Sequence, residues 1–222
     1  MLSKKRTIEA LDIIADMFPD AEAELNYSNS FELTIAVLLS AQTTDIMVNR
    51  VTDTLFQKYQ TPEDYLNVPL EELQNDIKII GLYRNKAKNI QKLCRDLIDN
   101  FNGEVPANYD DLITLAGVGR KTANVVLSVA FNTPRIAVDT HVERVSKRLG
   151  IARYKDSVLQ VEETLMRKIP EERWSIAHHQ LIFFGRYHCL ARNPKCGECP
   201  LLYMCREGQK RKRAEDRLLN IK

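Results

Sequence analysis

Residues Leu115-Ala-Gly-Val-Gly-Arg-Lys-Thr-Ala-Asn-Val-Val126, followed after a helix-length run by Ile136-Ala-Val-Asp-Thr-His141, decide how this chain is read. Gly117 and Gly119 bracket Val118, and the residues from Arg120 onward carry a helical pattern. Glycine lets the backbone turn sharply and approach a ligand closely. A glycine turn feeding a helix start leaves unpaired N–H groups facing outward, the arrangement that binds a phosphate oxygen. Asn108 is placed to cap a short helix through Leu112 and Leu115, so the unit over about 108–131 reads helix, Gly-Val-Gly hairpin, helix. Lys121 falls in the first turn of the second helix, where the positive end of the helix dipole favours a neutral amine, and a neutral amine is a nucleophile. The string alone supports less than this. Gly-x-Gly junctions often merely connect helices, and a lysine beside one is ordinarily a solvated charge. The spacing is not that of a P-loop, and with no strand before it this is no dinucleotide fingerprint.

Outward from this unit the pattern is helical nearly throughout. Ile8, Leu11, Ile14, Ala15 and Phe18 share one face of a first helix stopped by Pro19. Ser30 is read as the cap of a second helix whose stretch Ile35 to Leu39 is apolar all round, as in a helix buried in a core. Thr44 caps a third, and Thr61 before Pro62 is a strong start signal for a fourth. A short helix from Leu70 is expected to end near Gly81, and a long amphipathic one carries Ile90, Leu93, Cys94, Leu97 and Ile98. Further helices are expected over 142–149, 157–169 and 174–187. Ile136 to Val138 is too brief for a strand, and no sustained period-two alternation occurs, so the fold class is all-α.

The 222 residues can bury one large core or two small ones, and 44% hydrophobic with 28% charged is the balance of a globular chain. The net charge of +2 does not announce nucleic acid. The basic residues are nevertheless clustered, at Lys4 to Arg6, at Arg84, Lys86, Lys88, Lys92 and Arg95, and at Lys210 to Arg213, which raises the odds of a polyanion partner slightly. Met1 is followed by charged residues with no apolar segment behind them, and no apolar run is long enough for a bilayer, so a cytoplasmic chain is expected. In that compartment the five cysteines are not expected to form disulfides. Cys189, Cys196, Cys199 and Cys205 have six, two and five residues between them, which implies a metal site. Zinc and iron–sulfur both use four cysteines, and a single Cys-x-x-Cys knuckle leaves iron–sulfur only slightly ahead. Cys94, on an apolar helix face, reads as a small core residue.

Together, Leu115 to Val126, Val138-Asp139-Thr140-His141 and the cysteine set resemble the endonuclease III family, the bifunctional DNA glycosylase/AP lyases of the helix-hairpin-helix superfamily, over about residues 7–206. That resemblance implies two helical lobes with a cleft between them. A six-helix lobe takes about 23–133, a cluster lobe combines 1–22 with 134–207, and a basic tail follows over 208–222. It implies a [4Fe–4S] cluster on the four cysteines, matching the family loop in every interval. It makes Lys121 the nucleophile at the sugar C1′, with Asp139 opposite it across the cleft. Gln42 and Leu82 become wedge residues that fill the gap left by an extruded base. Gly117, Gly119 and Arg120 would hold phosphate, Lys195 and Arg192 would contact it from the cluster loop, and His141 and Asp45 are pocket candidates. Asp139 also reads as the N-cap of the helix after it. The implied partner is double-stranded DNA with damaged pyrimidines or abasic sites, bound by a monomer without a membrane.

The family carries Pro where this chain has Ala116, a departure that loosens the approach to the hairpin. An adenine-mismatch glycosylase shares the fold but typically lacks the lysine and adds a C-terminal domain, whereas this chain has Lys121 and ends soon after Cys205. A non-catalytic iron–sulfur DNA clamp leaves the pairing of Lys121 with Asp139 without a purpose, and a zinc-dependent nuclease would depend on labile metal.

Overall fold

The structure, a computed structural model, describes residues 1–219. Its α-helices are α1 Lys4–Met17, α2 Ser30–Leu39, α3 Asp45–Lys58, α4 Pro62–Asn67, α5 Leu70–Asp76, α6 Tyr83–Phe101, α7 Tyr109–Leu112, α8 Arg120–Ala130, α9 Thr140–Leu149, α10 Val158–Lys168, α11 Trp174–Phe183 and α12 Arg206–Leu219. No strand occurs among the described residues. The chain divides into two compact units, Ala23–Thr133 and Met1–Glu22 with Pro134–Lys222.

Helix starts follow local chemistry. Thr61 accepts from the Asp64 N–H while the Asp64 carboxylate takes the N–H of Thr61, a capping box with Pro62 at the first helical position. Ser157 and Gln160 repeat the device at α10, and Ser3 and Thr44 cap α1 and α3. The expected Ser30 cap is displaced by one residue. Asn29 accepts from the Glu32 N–H at 2.9 Å, and Ser30 becomes the first helical residue, since Asn caps as well as Ser. α5 stops at Asp76, and turns bridged by Ile80 N–H to Ile77 C=O carry the chain on toward Gly81. The last expected helix is α only to Phe183. Phe184–His188 is a π-helical turn that brings the chain to Cys189. The basic tail is helical through Leu219 and carries an Arg211–Glu207 pair at 2.9 Å, while 220–222 lie outside the described residues.

In the Ala23–Thr133 unit, α2 is buried on every side, as its all-apolar run requires, and packs on α3, α6 and α8. Truncating Ile35 or Leu39, both fully buried, to Ala would cost about 2–5 kcal/mol. Cys94 is fully buried in the same core. In the other unit α9 is the shared helix, contacting α10, α11 and α12, and α1 packs on α10 and α11.

Candidate functional site

The helix-hairpin-helix is built as the glycines dictate. Asn108 caps α7 by accepting from the Asp111 N–H at 2.9 Å, and turn bonds, not further α-helix, carry the chain from Leu112 to Leu115. Gly117 has φ +78, a left-handed conformation, and a Cβ there would lie 2.9 Å from Leu38 Cδ1 and 3.2 Å from Asn89 Cβ. Gly117 is therefore glycine for the protein's own packing. Gly119, the N-cap of α8, is different. Its φ of −94 suits any residue, and a Cβ would meet nothing within 4 Å. Its bare Cα leaves room for something from outside, beside a helix start with no capping side chain. Lys121 is exposed in the first turn, and Arg120, also exposed, stacks over the Tyr109 ring at 5.7 Å. The Ala116 approach is not loose. Its N–H donates to Asp96 Oδ2 at 3.2 Å, tying the hairpin to α6 by a bond that proline could not make.

Gln42 and Leu82 share an unusual backbone. Both are exposed, with φ of 56 and 61, in the left-handed region; among the described residues the other non-glycine residues there are all asparagines, which tolerate it. Leu82 is the N-cap residue of α6 and makes no capping bond through its side chain. The Gln42 carbonyl lies 3.9 Å from where a Cβ on Gly81 would stand, so the two turns are neighbours. Lys86, counted above in a basic cluster, is buried and belongs to no solvated face.

Asp139 caps α9 through one oxygen. Oδ1 accepts from the N–H groups of His141 and Val142, both at 2.8 Å, while Oδ2 makes neither bond. His141 is half-buried, with Nδ1 at 3.1 Å from Arg144 Nη2. A guanidinium only donates, so Nδ1 accepts and the ring is neutral; burial likewise holds its pKa below the ordinary histidine range. Asp45 opens α3 within the first turn. Lys121 belongs to the Ala23–Thr133 unit and Asp139 to the other.

The four cysteines share one cavity, walled also by Leu149, Phe184, His188 and Lys195. His188 Nε2 is buried there with no hydrogen-bond partner. Burial pushes the Cys199 thiol up to about 11 and that of Cys205 upward, so thiolates at these two positions need a cationic centre to keep them deprotonated. Sulfurs spread around a cavity suit a cluster in which each thiolate takes its own iron. Arg148 of α9 fixes the start of the loop: Nη1 donates to the Leu190 carbonyl at 2.6 Å and reaches Cys189 Sγ at 3.6 Å, and Nη2 donates to the Ala191 carbonyl at 2.9 Å. The Gly208 N–H donates to Cys205 Sγ at 3.3 Å. Arg192 and Lys195 are exposed on the same loop. Sequence reasoning missed Arg148, Asp96 and Lys86, whose partners lie far away along the chain.

Residues 35–171 match the HhH-GPD superfamily of base excision DNA repair proteins, and residues 189–205 match the iron–sulfur binding domain of endonuclease III. The chain belongs to this helix-hairpin-helix superfamily of base excision repair proteins and, within it, to the endonuclease III family, with a [4Fe–4S] cluster as cofactor. It is 71% identical over 211 residues to endonuclease III of Bacillus subtilis (strain 168), covering 95% of this chain and 96% of that one. To endonuclease III of Escherichia coli (strain K12) it is 47% identical over 209 residues, 94% and 99% of the two chains. A solved structure of a trapped endonuclease III–DNA covalent intermediate, an estranged-adenine complex, superposes with a TM-score of 0.94 at 66% identity, covering 96% of this chain and 100% of that one. No helix among the described residues is long and apolar enough to cross a membrane.

Proposed function

We propose that this chain is a DNA N-glycosylase/AP lyase that removes oxidised pyrimidines from duplex DNA and cuts the strand at the resulting abasic site, working as a monomer in the cytoplasm on nucleoid DNA. The observation that carries the reading is the exposed Lys121 in the first turn of an uncapped helix behind the Gly117–Gly119 hairpin, in a chain whose relative has been trapped covalently on DNA.

The neutral Lys121 amine attacks C1′ of the extruded nucleotide, and the bond from C1′ to the base breaks, the base leaving with the electron pair and a proton. The Asp139 carboxylate offsets the positive charge that develops on the sugar. The sugar ring opens to a Schiff base between Nζ and C1′, which acidifies the C2′ hydrogen. Loss of that proton drives β-elimination: the C3′–O3′ bond breaks, the 3′ phosphate departs, and water then hydrolyses the imine to free Lys121. A water nucleophile would release the base without cutting the strand.

Gln42 meets the orphaned base and Leu82 enters the stack. Gly119 and the α8 N-terminus hold phosphate with Arg120, and Lys195 and Arg192 add contacts from the cysteine loop. Cys189, Cys196, Cys199 and Cys205 hold the [4Fe–4S] cluster, which ties the loop into a rigid knot when bound. Borohydride treatment of the protein with abasic DNA tests the assignment. Wild type becomes linked and Lys121→Gln does not; an undiminished adduct in that variant moves the nucleophile elsewhere.

A further inference from the structure

Lys86 sits one turn into α6, yet it is only 5% exposed, and all three donors of its ammonium are spent inside the protein. Nζ donates to the Leu39 carbonyl at 2.9 Å, the Ala41 carbonyl at 2.7 Å and Thr43 Oγ1 at 3.0 Å. These acceptors bracket Gln42. At the other end, the Lys86 N–H donates to the carbonyl of Leu82 at 3.1 Å. One residue therefore grips both left-handed turns: its side chain closes the turn that carries Gln42, and its main chain closes the turn that carries Leu82. Non-glycine, non-asparagine residues keep such a conformation only where their surroundings over-determine it. A lysine ammonium has exactly as many donors as the acceptors it meets here, so the charge is fully hydrogen-bonded despite its burial.

We propose that Lys86 is a positioning residue for base extrusion, an internal strut that holds the Gln42 and Leu82 turns at a fixed separation so that both side chains enter the duplex together. It touches neither the extruded nucleotide nor phosphate. The inference rests on the wedge roles proposed for Gln42 and Leu82, and it extends them. If those side chains must act as a pair, a chain lacking the strut keeps both residues but loses their common register. Burial pulls the amine below the ordinary lysine range, which fits an internal group and not a solvated contact to DNA.

The test compares two abasic substrates on the cluster-containing protein. A duplex requires the gap to be filled, whereas a single-stranded oligonucleotide presents its sugar without extrusion. Lys86→Met should cut single-turnover strand cleavage of the duplex at least tenfold, while cleavage of the single strand and binding to undamaged duplex stay within about twofold. A fluorescent base analogue opposite the lesion should lose its extrusion signal in the same variant. Equal losses on both substrates mark Lys86 as a general scaffold residue and overturn the proposal, as does full duplex activity. If Lys86→Met fails to fold by circular dichroism, Thr43→Val decides instead: it removes one acceptor and should give a smaller loss confined to the duplex, and no such loss overturns the proposal. Leu82→Ala and Gln42→Ala on the same substrates separate the two layers. If neither impairs the duplex reaction, the wedge reading fails; if they impair it and Lys86→Met does not, only the strut fails.

Discussion

The two hairpin glycines should fail in opposite ways when each is replaced by alanine. At Gly117 the new Cβ meets a left-handed φ of +78, costing about 1–2 kcal/mol for an L-residue. It also arrives 2.9 Å from Leu38 Cδ1 and 3.2 Å from Asn89 Cβ, and overpacking of that kind adds roughly 1–3 kcal/mol. Leu38 is buried in the core and cannot simply swing away. A sum of about 2–5 kcal/mol lowers Tm by roughly 4–20 °C in a chain of this size. At Gly119 a Cβ meets no protein atom within 4 Å and no unfavourable φ. The weaker cap offered by Ala is offset by about 0.4–1 kcal/mol of lost unfolded-chain entropy, so stability stays nearly level. The methyl group there would occupy the space through which phosphate is proposed to approach. Losing one phosphate contact should flatten the slope of log K against log salt by about 0.9 for duplex DNA. Thermal melts and a salt titration of binding measure both quantities. A Gly117→Ala protein with unchanged Tm, or a Gly119→Ala protein with unchanged affinity and slope, refutes this division of labour.

Asp139→Asn keeps the α9 cap, since Asn caps as well as Asp, and should leave stability within about 0.5 kcal/mol while slowing base removal roughly a hundredfold or more. Asp139→Ala should lose the same rate and also about 1 kcal/mol of stability; melts and single-turnover kinetics on the pair separate cap from carboxylate. Arg148→Ala frees the carbonyls of Leu190 and Ala191, so the visible absorbance of the cluster should bleach several-fold faster in air, with an unchanged bleaching rate counting against the clamp. Burial depresses His141 and His179 below the ordinary 6.5, so between 6.5 and their folded values the unfolded chain binds more protons. Stability from these groups is therefore fully present above 6.5 and lost as pH falls below it, and His179→Gln should shallow that acid slope in melts taken from pH 7.5 to 5.5.

The hairpin was legible because glycine spacing, an Asn cap and a helical run are local signals, and the structure places each of them as local rules demand. The slip from Ser30 to Asn29 shows the limit of such rules: adjacent residues with equal capping ability leave the boundary open. α12 escaped notice because Arg206 to Arg213 carries hardly any apolar stripe, and its helicity leans on pairs such as Glu207 with Arg211. Lys86 could not be read at all. Its neighbours Arg84 and Lys88 are exposed, and only the fold reveals that residues 39–43, more than forty positions away, wrap its amine. The left-handed turns at Gln42 and Leu82 were equally hidden, because the residues that announce such turns, glycine and asparagine, are absent from both positions.

The cysteine-bearing unit is discontinuous in sequence, with the whole of Ala23–Thr133 inserted between its first helix and the rest. During synthesis the inserted unit emerges as one uninterrupted stretch and can close its own core on the ribosome, whereas α1 must wait for partners made much later. Those partners are specific: Arg173 pairs with Asp12 at 2.7 Å, the Tyr203 hydroxyl donates to Glu9 at 2.6 Å, and just ahead of the helix Lys168 Nζ donates to the Leu2 carbonyl at 2.7 Å. Closure of that unit thus waits until the chain has doubled back on its own beginning, and trimming the first helix would injure the cysteine-bearing unit while sparing the hairpin nearer to it in sequence.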